Sequence, residues 1–372
     1  MAESQVKRLP GRARARNGFA RLRAACPHKA VPVRAVVGWL GVPVLGLAIG
    51  LSGCTSMAPG SSGAQTGTVD AVKVNVFRGA SNVPIYMAIE DGAFARRGIR
   101  PELQFTPNSE QQRAGLASGR FEIAHAAVDN AVAMVETARE DVVIVAGGDG
   151  GMNEFLVRPE INRPSDMRNR VYVVDAPNTA YALIGRKILK NAGLVDGVDF
   201  KLDPVGGSEA RTRAFQTPDG AATMLNPPWN FIARDRGAKS LGRTIDLYGP
   251  YQAGGIFVMR TWAQAHRDLL QRYIAAYIEG CRAAQDPARR EATLQVLQRE
   301  LKLDRSTAER TVADLLTPGH GLTRDCAIDL AGFRNVLALR AEIEGQWGGV
   351  APDPARYLDD SYYQNAMRAL ER

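Results

Sequence analysis

The chain has 372 residues, 47 of them Lys or Arg and 39 Asp or Glu, for a formal net charge of +8; that length is comfortable for two lobes. A basic balance points first to nucleic acid, but residues 1–53 hold Lys7, Lys29 and seven Arg against the single acid Glu3, and the remainder is formally neutral. A nucleic-acid partner is thereby excluded, and the four cysteines and four scattered histidines lack the spacing of a metal centre.

The basic stretch RLPGRARARNGFARLR leads to an uncharged run of 17 residues, Ala35 to Leu51. The order basic, apolar, small is that of a signal peptide. A permanent transmembrane helix is the alternative, at the lower limit of length and with four Gly and one Pro inside it. Leu51-Ser52-Gly53-Cys54 resembles a bacterial lipobox. That resemblance implies a lipoprotein signal peptide over residues 1–53, with diacylglycerol on the Cys54 thiol and cleavage in front of it. The Ser-, Gly- and Ala-rich stretch that follows reads as a flexible tether over residues 54–71. Only Cys281 and Cys326 remain in the body, where they either form one disulfide or stay buried and apart.

From Val72 the body alternates strands and helices. VKVNVF (Val72–Phe77) predicts a strand, and VPIYMAIEDGAFARRG a helix with Pro84 in its first turn and Gly98 as its stop. Glu102–Thr106 is a second strand, and Ser109 is read as the cap of a helix with Gln112 three residues on and Gly119 at its end. FEIAHA is a third strand, Asp129 or Asn130 caps AVAMVETA, and DVVIVAG is a fourth strand. The theme repeats in NRVYVVDA, then AYALIGRKILKNAG capped by Asn178 or Thr179, KLDPVG, a helix from Ser208, GAATML and NPPWNFIARDRG. After GGIFVM (Gly254–Met259) the pattern turns helical, with one long helix from Thr261 to about Ala284 and others near 288–301, 305–316, 325–345 and 359–370. Strands alternating with helices imply an α/β fold of two similar lobes, each a mostly parallel sheet with helices on its faces.

NVPIYMAIEDGAFARRGIRPEL (Asn82–Leu103) and LASGRFEIAHAAVDN (Leu116–Asn130) resemble the periplasmic substrate-binding proteins of ABC importers, of the branch that holds taurine, alkanesulfonate, nitrate and thiamine-precursor binders. DAPNTAYALIGRKILKNAGL and the stretch from GGIFVM to Gly280 match more loosely. The resemblance implies the two-lobed type II periplasmic-binding-protein fold, with residues 72–158 and 252–372 in lobe one and 159–251 in lobe two. It also implies closure of the lobes about a ligand, ABC permease and ATPase subunits as partners, and a monomer on the periplasmic or cell-surface side, anchored by Cys54.

In open α/β sheets a ligand sits beyond the carboxyl ends of the strands, where helix N-termini favour anions. The joints there nominate Arg78, Ser81, Asn82, Asp129, Asn130, Asp149, Asn178, Thr179, Asn226 and Tyr251 as ligand-binding residues, with Trp229 as a wall. The competing role for Asn82, Asp129, Asn178, Thr179 and Asn226 is helix capping. The glycines of AGGDGGMNE fail the dinucleotide spacing and read as a tight crossing between lobes. No catalytic residue, metal or cofactor is expected. The expected cargo is a small organic anion, sulfonate or carboxylate. The alternatives are a cationic or aminopyrimidine thiamine precursor, a pyrimidine-synthase-like enzyme on the same fold, whose Cys/His cluster this chain lacks, and a lipoprotein that senses rather than transports.

Overall fold

A computed structural model describes residues 69–372. The expected leader over residues 1–53, the lipidation site Cys54 and the tether up to residue 68 lie outside the described residues. The last tether positions are already strand, because β1 runs Asp70–Val76 and pairs from its first residue.

The first set of elements is β1, α1 (Val83–Glu90), β2 (Ile99–Phe105), α2 (Ser109–Ala117), β3 (Ile123–Ala127), α3 (Asp129–Ala133) and β4 (Val142–Ala146). The second is β5 (Glu154–Val157), β6 (Arg170–Val174), α4 (Ala180–Asn191), β7 (Phe200–Pro204), α5 (Ser208–Phe215), β8 (Gly220–Leu225), α6 (Trp229–Asp235), β9 (Lys239–Arg243) and α7 (Thr244–Tyr248). The chain returns through β10 (Gly254–Met259) and ends in α8 (Arg260–Ala265), α9 (Arg267–Gln285), α10 (Arg290–Leu301), α11 (Arg305–Leu315), α12 (Leu330–Glu344) and α13 (Ser361–Leu370).

Two five-stranded sheets result, with orders β2-β1-β3-β10-β4 and β7-β6-β8-β5-β9. Each has parallel strands on one side and one strand from the other crossing inserted antiparallel: β10 between β3 and β4, and β5 between β8 and β9. Strands covered on both faces read as unbroken apolar runs, and β4 (VVIVA) is buried at every position. The edge strand β9, KSLGR, is polar and escaped the sequence reading.

One core lies between the first sheet, α1 and α9, around Val74, Ile85, Met87, Tyr273 and Ile278. A second is shared by both sheets, joining Val142, Ile144 and Phe257 to Phe155, Tyr172 and Leu183 and to Phe333 and Leu337 of α12. The chain leaves the first sheet after Ala146 and enters the second at Glu154, so the crossing occupies Gly147–Asn153. The return lies between Arg243 and Gly254.

Three local expectations are corrected. The first helix stops at Glu90 and a short 3-10 turn, Ala95–Arg97, precedes Gly98, whose φ of 65° suits glycine. Asn108, not Ser109, caps α2, accepting from the Gln111 N–H at 2.8 Å, while Gln112 turns inward to Asn75. The long helix expected from Thr261 breaks at His266 into α8 and α9. Among the described residues no helix is long and apolar enough to cross a membrane.

Cys281 of α9 and Cys326 form a disulfide across 45 residues. In the chain-entropy picture a loop of that length contributes about 4 kcal/mol. The double replacement Cys281→Ala/Cys326→Ala is expected to lower stability by that order. Denaturant titration of oxidised wild type and variant checks it, and equal midpoints would contradict it.

Candidate functional site

Both sheets direct the carboxyl ends of their parallel strands at one cleft, open to solvent. The first sheet contributes the β1–α1 joint (Phe77, Arg78, Ser81, Asn82), Ser109, His125 and Asn130, and the second contributes Asp175, Thr179, Tyr181, Ser208, Arg211 and Asn226. Gly148 and Asp149 of the crossing, Gly254 of β10 and Tyr277 of α9 complete the lining.

Seven of the ten nominated residues reach the cleft: Arg78, Ser81, Asn82, Asn130, Asp149, Thr179 and Asn226. None of the five residues with capping as the competing role spends its side chain on a helix cap. Asn82 Nδ2 donates to the Phe77 carbonyl at 2.5 Å, Thr179 Oγ1 donates to the Ala176 carbonyl at 2.8 Å, and Asn226 Oδ1 accepts from Ser208 Oγ at 2.6 Å. Arg78 sits at the mouth rather than inside, its guanidinium 4.2 Å from the centre of the Phe105 ring. Trp229 does not line the cleft, and its indole N–H donates to the Arg78 carbonyl at 3.0 Å.

Three nominations are corrected. Asp129 is the first residue of α3, buried, and engaged by the equally buried Arg340 of α12 at 2.6 Å. Asn178 gives its side-chain oxygen to Arg113 and its carbonyl to Arg340. Tyr251 is core, packed in the apolar cluster shared by both sheets. In each case a partner remote in sequence decides where the group points.

The residue that sequence reasoning missed is Arg211, on α5. It is 2% exposed and lines the cleft. Its Nε donates to the Met224 carbonyl at 3.2 Å, Nη1 to the Gly206 carbonyl at 3.0 Å and Nη2 to Ser208 Oγ at 2.9 Å. Three of its five N–H donors are thus used, and among the described residues it makes no ion pair. Burial lowers its pKa, with the Asp175 charge opposing the shift; a guanidinium nevertheless stays cationic at neutral pH. In SEARTRAF it looks like any solvated helix arginine, and only the packing of α5 on β8 buries it.

Asp149 and His125 are both disfavoured as ions. Burial pushes the Asp149 carboxyl up, against the pull of the Gly151 N–H, which donates to Oδ1 at 3.0 Å. Burial pushes the His125 imidazole down to about 3. Its Nε2 is 2.9 Å from the Tyr273 hydroxyl. Among the described residues no His, Cys, Asp or Glu group is placed to hold a metal ion.

Residues 65–298 match the model of the NMT1-like family. Among solved structures, the periplasmic nitrate-binding protein NrtA from Synechocystis PCC 6803 is 14% identical, covering 82% of this chain and 89% of that one at a TM-score of 0.68. The alkanesulfonate-binding protein SsuA from Xanthomonas axonopodis pv. citri, bound to MOPS, is 16% identical, with 79% and 97% covered and a TM-score of 0.62. The desulfurization enzyme DSZB is 14% identical, with 81% and 99% covered and a TM-score of 0.56. At these identities the likeness shows the fold, which is that of periplasmic binding proteins. No curated protein matches the chain by sequence.

The neutral histidine at the cleft gives stability a defined pH dependence. His125 in the unfolded chain takes up its proton near pH 6.5, and in the folded chain only near 3. Its contribution is therefore complete above pH 6.5 and is lost progressively as pH falls below it. Between pH 6.5 and 5 the loss is about 2 kcal/mol. His125→Gln, which keeps a group able to bond Tyr273, is expected to lose about that much less than wild type over the interval. Denaturation at pH 7 and pH 5 checks this, and parallel losses in both proteins would contradict it.

Proposed function

The chain belongs to the NMT1-like family, and on that footing we propose that it is the solute-binding component of an ABC importer. It captures a small organic anion of sulfonate or carboxylate type in the cleft and delivers it to a permease. The observation that carries this reading is Arg211, a buried cation in the cleft that makes no ion pair among the described residues and has N–H donors to spare. Burying an unpaired charge is costly unless something compensates it, and a bound anion supplies that compensation by charge-assisted hydrogen bonds. The names of the similar NrtA and SsuA, a nitrate binder and an alkanesulfonate binder, support the same class.

Binding rather than catalysis is supported by the lining itself. It holds no cysteine, and its one histidine is bonded to Tyr273. Closure is supported by the two-sheet construction: the expected lobe boundary at residue 158 moves back to the crossing at 147–153, since β5 belongs to the second sheet, and the two lobes come together over the ligand to give the form the permease meets.

Calorimetry with MOPS, methanesulfonate and nitrate tests the cargo class. Arg211→Gln is expected to weaken the best of these anions more than tenfold. Tight binding of an aminopyrimidine, with no effect of the Arg211 variant on it, would replace the anionic reading with the cationic one.

Anchoring through Cys54 on the periplasmic or cell-surface side belongs to the same proposal, supported by the lipobox-like Leu51-Ser52-Gly53-Cys54 and the neutral chain beyond it. Cys54→Ala is expected to abolish incorporation of labelled fatty acid into the protein in cells. Incorporation at the wild-type level would overturn the anchor.

A further inference from the structure

Asp175 follows β6 and enters the cleft from the second sheet, 9% exposed. Across the cleft lies Ser109, the first residue of α2. The Ser109 backbone N–H is 3.2 Å from both Asp175 carboxylate oxygens, and the Ser109 hydroxyl donates to Oδ2. That hydroxyl in turn accepts from Asn130 Nδ2 at 3.1 Å. The opening turn of α2, where free amides and the helix dipole favour negative charge, is thus held by the protein's own carboxylate. Two cations feel the same charge: burial lowers the pKa of Arg211 and of Arg113, and Asp175 opposes the shift at both, after Asp129 at Arg113. The cleft therefore presents one spare cation, Arg211, and one fixed anion whose position the first sheet dictates. The other charged groups of the lining are Arg78 at the mouth and Asp149, which burial disfavours as an anion.

We propose that Asp175 is the specificity-determining residue of the cleft, admitting a ligand with one negative charge at Arg211 and turning away a ligand that carries a second. The inference rests on the anionic reading of the site and narrows it. A second anionic group about 6 Å from Asp175, at the effective dielectric of a partly buried site, meets repulsion worth roughly a hundredfold in affinity. The Ser109 amide that would offset it is already taken by Asp175, and the Gln111 amide by Asn108.

The test compares methanesulfonate with ethane-1,2-disulfonate by calorimetry on wild type, Asp175→Asn and Asp175→Glu, with circular dichroism to establish folding. Wild type is expected to prefer the monosulfonate more than tenfold. Asp175→Asn keeps a hydrogen-bonding group facing Ser109 but removes the charge, and is expected to narrow that preference at least tenfold. Asp175→Glu is expected to keep it. Equal binding of both probes by wild type overturns the inference while leaving the anionic reading intact. So does an Asp175→Asn variant that weakens both probes by the same factor, because a carboxylate acting only as a clasp between the sheets would do that. Acetate and succinate serve as the matching mono- and dicarboxylate pair, and wild type that binds none of the four anions overturns both readings together.

Discussion

The structure depends on a close backbone contact where the chain passes between its sheets. At Asp149 the outgoing and returning crossings touch: the Asp149 carbonyl accepts from the Ala253 and Gly254 N–H groups at 3.0 and 3.2 Å. A third segment lies over them, with Gly147 N–H donating to Cys326 O, Gly150 N–H to Gly321 O and Thr323 N–H to Gly148 O, each at 2.9 Å. Side chains do not fit there. A Cβ on Gly147 would fall 2.1 Å from the Ala327 carbonyl oxygen, and one on Gly254 would fall 2.2 Å from Asp149 Oδ2. The glycines of AGGDGG and GG254 onward are therefore needed for approach rather than for a nucleotide. The disulfide ties this overlying segment to α9, so the C-terminal helices hold the crossing in place.

From that contact follows the electrostatics of the cleft. Asp149, Asn153 and Gln252 of the two crossings are deeply buried, and polar groups so placed must be satisfied locally or by a ligand. Asp129 and Arg340 neutralise each other, with each side chain almost wholly hidden, and Arg340 bonds Gln346 and the Asn178 carbonyl as well. Removing either partner would strand the other, which is a structural role and explains why Asp129 does not face the cleft. Asp175 is satisfied by Ser109 across the cleft. Arg211 is different: its partners are carbonyls and a hydroxyl, so its charge is solvated in part but not neutralised. Buried charge with incomplete compensation is what distinguishes a binding group from a scaffold group in this cleft.

The fold was legible because its signals are local. Buried strands such as VVIVA are continuous apolar runs, Gly119 and Gly193 stand where helices finish, and strand-to-helix joints can be located without knowing what faces them. The same locality explains the misses. Ser109 has the chemistry of a cap, but a carboxylate 66 residues away claims its hydroxyl and leaves capping to Asn108. β9 is a short polar edge strand whose pairing with β5 is set by tertiary register, not by its composition. Asn130, Thr179 and Asn226, nominated from the joints, line the cleft, whereas the direction of Asp129 is set by Arg340, 211 residues on. Arg211 and Asp175 carry no sequence signal of burial, since neither interrupts a recognisable pattern.

The bonds that cross the cleft limit how firmly the two sheets are held together. Besides Asp175 with Ser109, the Ala80 N–H donates to Pro227 O at 3.1 Å, the Gly207 N–H to Pro107 O at 2.8 Å, and the Trp229 indole to Arg78 O at 3.0 Å. Any opening of the cleft must break this set and expose these groups to water, where each exchanges its partner for a net change of about 1 kcal/mol. Their sum is of the order of a few kcal/mol, small beside the apolar core that the two sheets share, so the sheets can hinge about that core but not separate. On the proposed reading a ligand at Arg211 would add contacts that exist only when both lobes face it, because Arg211 and Ser208 lie on the second sheet's side of the cleft and Asn82 and Asn130 on the first's. Those contacts have the same scale as the bonds already present. If the lobes open and close as proposed, modest ligand affinity would be enough to decide between the two arrangements, with the group that meets Arg211 carrying most of that decision.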